Sequence, residues 1–258
     1  MAVSTRSAVR LHYVKQGTGD PPFVFIHGWC CDHTFFQPQF EHFSKTHAVF
    51  APDLRGCGQS ESPADGYDIP TLADDVASLS RELGLEKSVF VGHSLGGMIA
   101  IELAARHPSL VRAVVGVDPG PIDMLPATRS LFEAFIEALQ GPDGPAVRQA
   151  YVEDMFLPTD DAERRRHIVA MMCSAHLPMA VAVLRGVVVW NGVGAMKLCN
   201  APVLIITSGT GGSNDPPRLR ALKANVEIGV TVGSGHFNML EVPEQVTPMI
   251  EQFVKTLG

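Results

Sequence analysis

The sequence predicts an α/β fold with a mostly parallel central sheet flanked by helices, and three observations lead there. Short apolar runs closing on Gly, Pro or Asp alternate with helical patterns along most of the chain, as expected of βαβ units. That alternation breaks once, over residues 121–197, where helical patterns follow one another without a convincing strand. At 258 residues, with 46% hydrophobic and 18% charged side chains, the chain suits one large domain with a sizeable core. We therefore expect a single domain over 1–258, with a core from 1–120 and 198–258 and a helical cap inserted at 121–197.

The elements follow in order. Residues 9–16 alternate like an edge strand or hairpin, and 23–26 (FVFI) form a buried-strand run ending at His27-Gly28. Further short runs lie at 48–51, 88–92, 111–117, 202–207 and 226–232. Each is too short for a helix and ends in turn-forming residues. Thr71-Leu72-Ala73-Asp74 resembles a capping box with Asp in place of Glu, and Leu72, Val76, Leu79 and Leu83 then share a face before Gly84. Residues 97–106 are predicted as the helix after the 88–92 strand, stopped by Pro108. Within the insertion the helical patterns cover 128–140, 145–156, 161–175 and 178–190, and a terminal helix is expected over 243–256. Such an insertion belongs over the carboxyl edge of the sheet, where parallel α/β folds place their ligands.

Charge and cysteine usage narrow the function classes. A net charge of −7 offers no electrostatic footprint for nucleic acid or an anionic membrane. The basic run Arg164-Arg165-Arg166 follows three acidic residues and reads as a solvated helix face. Cys30, Cys31, Cys57, Cys173 and Cys199 are odd in number, without the spacing of a disulfide framework or zinc site. With no export signal in the first twenty residues and no apolar stretch near ~18 residues, the expectation is a cytoplasmic protein. Its partner would be a small molecule, without cofactor or metal; the oligomeric state stays open.

The chemistry centres on Gly92-His93-Ser94-Leu95-Gly96, a Gly-x-Ser-x-Gly sequence placed after a buried strand and before an apolar helix. That context forces the serine onto a strained turn with its hydroxyl clear of the sheet, at the positive end of a helix dipole. Serine needs a base near neutral pH. Among ten histidines, His236 stands out in a glycine-flanked loop after the last strand, whereas His12, His42, His47, His107, His167 and His176 read as structural.

Four ordered motifs carry a family resemblance: His27-Gly28, the segment from Asp53 to Ser60, Gly92 to Gly97, and Gly235-His236-Phe237. Over nearly its whole length the chain resembles the α/β-hydrolase fold family, of the serine esterase and lactonase type. The resemblance implies an oxyanion hole from the backbone N–H groups of Trp29 and Leu95. The Asp53–Ser60 segment is expected to brace the sheet through buried ion pairs. Relatives commonly place the triad acid after the penultimate strand, where this chain has Gly212 instead of a carboxylate and Asp215 three residues later. Other relatives, certain haloalkane dehalogenases among them, carry it after the preceding strand, where Asp118 stands. Asp118 is the favoured acid and Asp215 the alternative; either would orient His236.

Serine at the nucleophile position argues against the dehalogenase and epoxide-hydrolase chemistry that needs a carboxylate there. It fits cleavage of a carboxylic ester or lactone of a small, largely apolar substrate through an acyl-enzyme. Met171, Met172, Met179, Val181, Val183, Leu184, Val187 and Trp190 offer an adaptable apolar pocket, although most are expected simply to pack the cap. Lactones such as acyl-homoserine lactones suit a pocket of that kind. Two alternatives stand beside this reading. Trp29-Cys30-Cys31-Asp32-His33 resembles the same segment of cofactor-free quinolone dioxygenases, in which His236 would deprotonate the substrate; those enzymes, however, have His where this chain has Leu95. A non-catalytic ligand receptor on the same fold is the other.

Overall fold

The computed structural model describes residues 2–3, 9–209 and 213–257. Its described strands form one eight-stranded sheet: β1 (Ala2–Val3), β2 (His12–Gln16), β3 (Phe23–Ile26), β4 (Val49–Pro52), β5 (Ser88–His93), β6 (Val111–Val117), β7 (Val203–Thr207) and β8 (Glu227–Val230). The spatial order is β1-β2-β4-β3-β5-β6-β7-β8. β2 pairs antiparallel with β1 and β4, and every other pairing is parallel. The central strands β3, β5 and β7 are buried along their whole length, which is why they read as unbroken apolar runs.

Helices cover the sheet: α1 (Gln37–Phe43), α2 (Ile69–Glu82), α3 (Leu95–Arg106), α9 (Pro216–Leu222), α10 (Asn238–Glu241) and α11 (Pro243–Lys255). The α2 start differs from the expected box at Thr71. Asp68 is the N-cap, and its carboxylate accepts from the Thr71 N–H at 2.9 Å. Pro70 fits the first turn, where its missing N–H costs no hydrogen bond, so the helix begins earlier than the apolar pattern indicates. α3 likewise starts at Leu95, immediately after the serine. α1, α9 and α10 were absent from the sequence pattern; α1 carries a proline in its first turn and is short, so periodicity was weak there.

Between β6 and β7 run α4 (Pro126–Gln140), α5 (Gly144–Glu153), α6 (Ala162–Ser174), α7 (Leu177–Val189) and α8 (Gly192–Leu198). The first four match the helical patterns of the insertion to within a few residues. α8 is an addition, and it packs on α3 in the core. The arginine run is less solvated than expected. Arg166 is exposed, but Arg164 donates to the Leu240 carbonyl (3.2 Å) and Arg165 lies over the Phe156 ring. Among the described residues no single helix is long and apolar enough to cross a membrane. All five cysteines are free thiols.

Candidate active site

The turn between β5 and α3 sets the site. Ser94 holds φ 52° and ψ −116°, a left-handed backbone that a non-glycine residue adopts only when its surroundings enforce it. The enforcement comes from both flanks. A Cβ on Gly92 would sit 2.1 Å from the Gly96 carbonyl oxygen, and one on Gly96 would sit 2.1 Å from that of Ile26. Only glycine lets strand, turn and helix approach so closely. The Ser94 N–H donates to the Val117 carbonyl at 3.1 Å, tying the turn to the neighbouring strand. Leu95 opens α3, so its N–H has no carbonyl within the helix. Neither that N–H nor the Trp29 N–H finds an acceptor among the described residues.

Asp118 follows β6 with φ 40°. Its Oδ2 accepts from His236 Nδ1 at 2.7 Å and its Oδ1 from the Ser208 N–H at 2.9 Å; the carboxylate is buried, and the imidazole is partly exposed towards the cavity. Asp215 lies elsewhere: it caps α9, accepting from the Arg218 N–H, and it does not line the cavity described below. The alternative acid is thus not brought to His236. Gly212 lies outside the described residues.

Three residues that the sequence did not single out hold this pair in place. Glu241 accepts from the N–H groups of Gly235 and Phe237, bracketing His236. Burial pushes its carboxyl up, against the opposing effect of the Gly235 hydrogen bond. Asn214 donates to the Pro119 and Gly120 carbonyls and accepts from the Ile122 N–H, fixing the loop after Asp118. His93 Nε2 lies 2.9 Å from the His236 carbonyl oxygen and must donate to it. Burial first, then the neighbouring His236 charge, pushes the His93 imidazole well below its usual range. No local motif announces these contacts; each depends on which loops meet.

Ser94, Leu95, Trp29, Asp118 and His236 all line one cavity of about 430 Å³. Its floor is the carboxyl ends of β5, β6 and β7, and its walls come from α4 to α7. Of the cap residues proposed as lining, only Met172, Leu184 and Val187 face it. Met179, Val181, Val183 and Trp190 are buried in the core and Met171 packs against it. Trp190 also donates to Glu102 at 2.8 Å.

The segment from Asp53 to Ser60 is structural, as expected. The fully buried Asp53 carboxylate accepts from His12 Nδ1, His33 Nδ1, the His33 N–H and the Gln59 N–H. Burial alone would raise its pKa; the hydrogen bonds from His33 and Gln59 outweigh that and hold the carboxyl well below the usual range. His12, His33 and Asp53 are the group among the described residues closest to a metal-ligand set, but these four donors already satisfy the carboxylate. Arg55 and Asp75 form a bidentate pair at 2.5 and 2.7 Å, both 7% exposed.

Sheet order, serine turn and cap-walled cavity together define a domain of the α/β-hydrolase class. A family model described as alpha/beta hydrolase fold matches residues 21–243, and the chain belongs to that family. It is similar to the AB hydrolase superfamily protein YisY of Bacillus subtilis, with 42% identity over 106 residues, 41% of this chain and 39% of that protein. The match to the first curated relatives covers only about two fifths of their length. Among solved structures it resembles an N-acyl homoserine lactone degrading enzyme (26% identity, TM-score 0.80, covering 98% of this chain and 100% of the other). An enol-lactonase from Burkholderia xenovorans shares the fold (21% identity, TM-score 0.84, covering 98% and 100%).

Proposed function

We propose that this protein is a serine hydrolase that cleaves a carboxylic ester or lactone of a small, largely apolar substrate through an acyl-enzyme intermediate. The observation that carries the reading is the placement of the strained Ser94 in the same cavity as the 2.7 Å Asp118–His236 pair. With Nδ1–H donated to Asp118, His236 keeps the Nε2 lone pair free to take the Ser94 proton. The Ser94 oxygen then attacks the substrate carbonyl. The developing oxyanion is met by the N–H groups of Leu95 and Trp29, preorganised donors that need no reorganisation as the charge develops. His236 returns the proton to the leaving alcohol, and water repeats the sequence to release the acid. No step requires a cofactor. Two similar structures named for lactone cleavage or lactone degradation are consistent with this chemistry.

The test is a panel of p-nitrophenyl esters and γ-lactones assayed with the parent and Ser94→Ala. We expect ester or lactone turnover with a burst of p-nitrophenol, and a loss of at least about 10³ in kcat in the variant. A Ser94→Ala protein as active as the parent would overturn the reading. So would oxygen uptake on a 4-quinolone without ester turnover, which is the dioxygenase outcome.

A further inference from the structure

One side of the cavity carries polar chemistry that acyl transfer does not use. Asp154 lines it from the C-cap of α5, with its side chain exposed at the rim. A helix C-terminus is the negative end of the dipole, so a carboxylate there is disfavoured locally. Asp154 has no ion pair and no side-chain hydrogen bond to another described residue. Nor does any lysine or arginine appear among the described residues lining the cavity. The other lining carboxylate, Asp118, is directed at His236.

Beside Asp154 stands an aromatic wall. Trp29, Phe132 and Tyr151 line the cavity. The Trp29 ring is locked by its Nε1–H donating to the Ala180 carbonyl at 2.9 Å and lies 6.2 Å from Tyr151 at 79°. Tyr151 is backed by Phe135 with ring centroids 4.1 Å apart. Tyr151 keeps 36% of its surface exposed; partial desolvation first, and the Asp154 charge second, push its phenol up, in keeping with a carboxylate close to that ring. Aromatic rings with an unpaired carboxylate beside them attract an organic cation from two sides: the ring quadrupoles act at short range and the charge acts over a longer one.

We propose that Asp154, with the Trp29–Tyr151 wall, selects substrates that carry an ammonium group, so that the preferred ester or lactone is cationic and anionic acyl compounds are rejected. This rests on the hydrolase reading above and names its substrate class. Asp154 is assigned no part in acyl transfer and acts on specificity.

The experiment compares acetylcholine with 3,3-dimethylbutyl acetate, its uncharged carbon isostere, in the parent and in Asp154→Asn. The expected ratio of kcat/KM, cation over neutral, is about tenfold in the parent and falls towards one in the variant. Tyr151→Leu is expected to lower the ratio as well. A ratio near one in the parent with the neutral ester turned over, or a ratio that Asp154→Asn leaves intact, overturns the proposal while the hydrolase reading survives. If neither ester is turned over, the p-nitrophenyl ester and lactone panel still decides the hydrolase reading separately. The cation site is then read from quenching of tryptophan fluorescence by tetramethylammonium: binding weakened about tenfold in Asp154→Asn supports it, and absence of binding to the parent overturns it.

Discussion

The Asp118 carboxylate meets the His236 imidazole at 2.7 Å, joining the loop after β6 to the loop after β8. The other Asp118 oxygen takes the Ser208 N–H from the end of β7. Three strand ends therefore converge on one carboxylate.

Asp118→Asn should lower kcat by about 10³–10⁴, because an amide presents the wrong partner to Nδ1–H and releases the tautomer. Asp215→Asn should leave kcat within about twofold, since asparagine caps a helix as well as aspartate does. Steady-state kinetics on the best ester decides. Loss of activity in Asp215→Asn alone would reverse the assignment.

Gly92→Ala should cost more than about 2 kcal/mol of stability, because the added Cβ meets a backbone oxygen at 2.1 Å that no rotamer change can relieve. Urea unfolding of the variant gives the number. A cost below about 0.5 kcal/mol would show that the turn relaxes and that its strain is not enforced by this approach.

Stability should decline on acidification from about pH 7 to 5. His27 is fully buried; its Nδ1–H donates to the Gly28 carbonyl and its Nε2 accepts from the Leu54 N–H at 2.9 Å. Burial, the largest influence, lowers its pKa, and it lowers that of His93 further. A folded-state pKa below the unfolded value of about 6.5 means that the unfolded chain takes up the proton first. The contribution is complete above about pH 6.5 and is lost as pH falls towards the folded pKa. Denaturant unfolding at pH 7, 6 and 5 should show this slope, and His93→Gln should flatten it. An identical slope in that variant would exclude His93 as a source.

Asp75→Ala should destabilise by about 3–5 kcal/mol, since it strands the buried Arg55 guanidinium without its bidentate partner. The double change Arg55→Met with Asp75→Leu should recover much of that loss. Thermal and urea unfolding of the two variants compares them directly; equal losses would mean that packing, not the stranded charge, sets the cost.

What could be read along the chain is what local physics controls. Apolar runs of strand length located the central strands, because a strand buried on both faces has no polar alternation. The glycines around Ser94 marked the strained turn, because only they tolerate such close backbone approach. The long helical stretch after Asp118 marked the insertion. Everything that depends on which loops meet was set by packing in three dimensions. Asp118 and Asp215 both follow sheet strands, and the chain favours the first without excluding the second; the fold carries Asp118 to His236, while Asp215 caps a helix. The same holds for the cap, where Met172, Leu184 and Val187 face the cavity and similar neighbours face the core, and for Asp154, whose place at the cavity appears only once α5 is set against the sheet. Contacts between residues far apart in sequence are chosen by packing geometry, and packing geometry leaves no periodic trace in the chain.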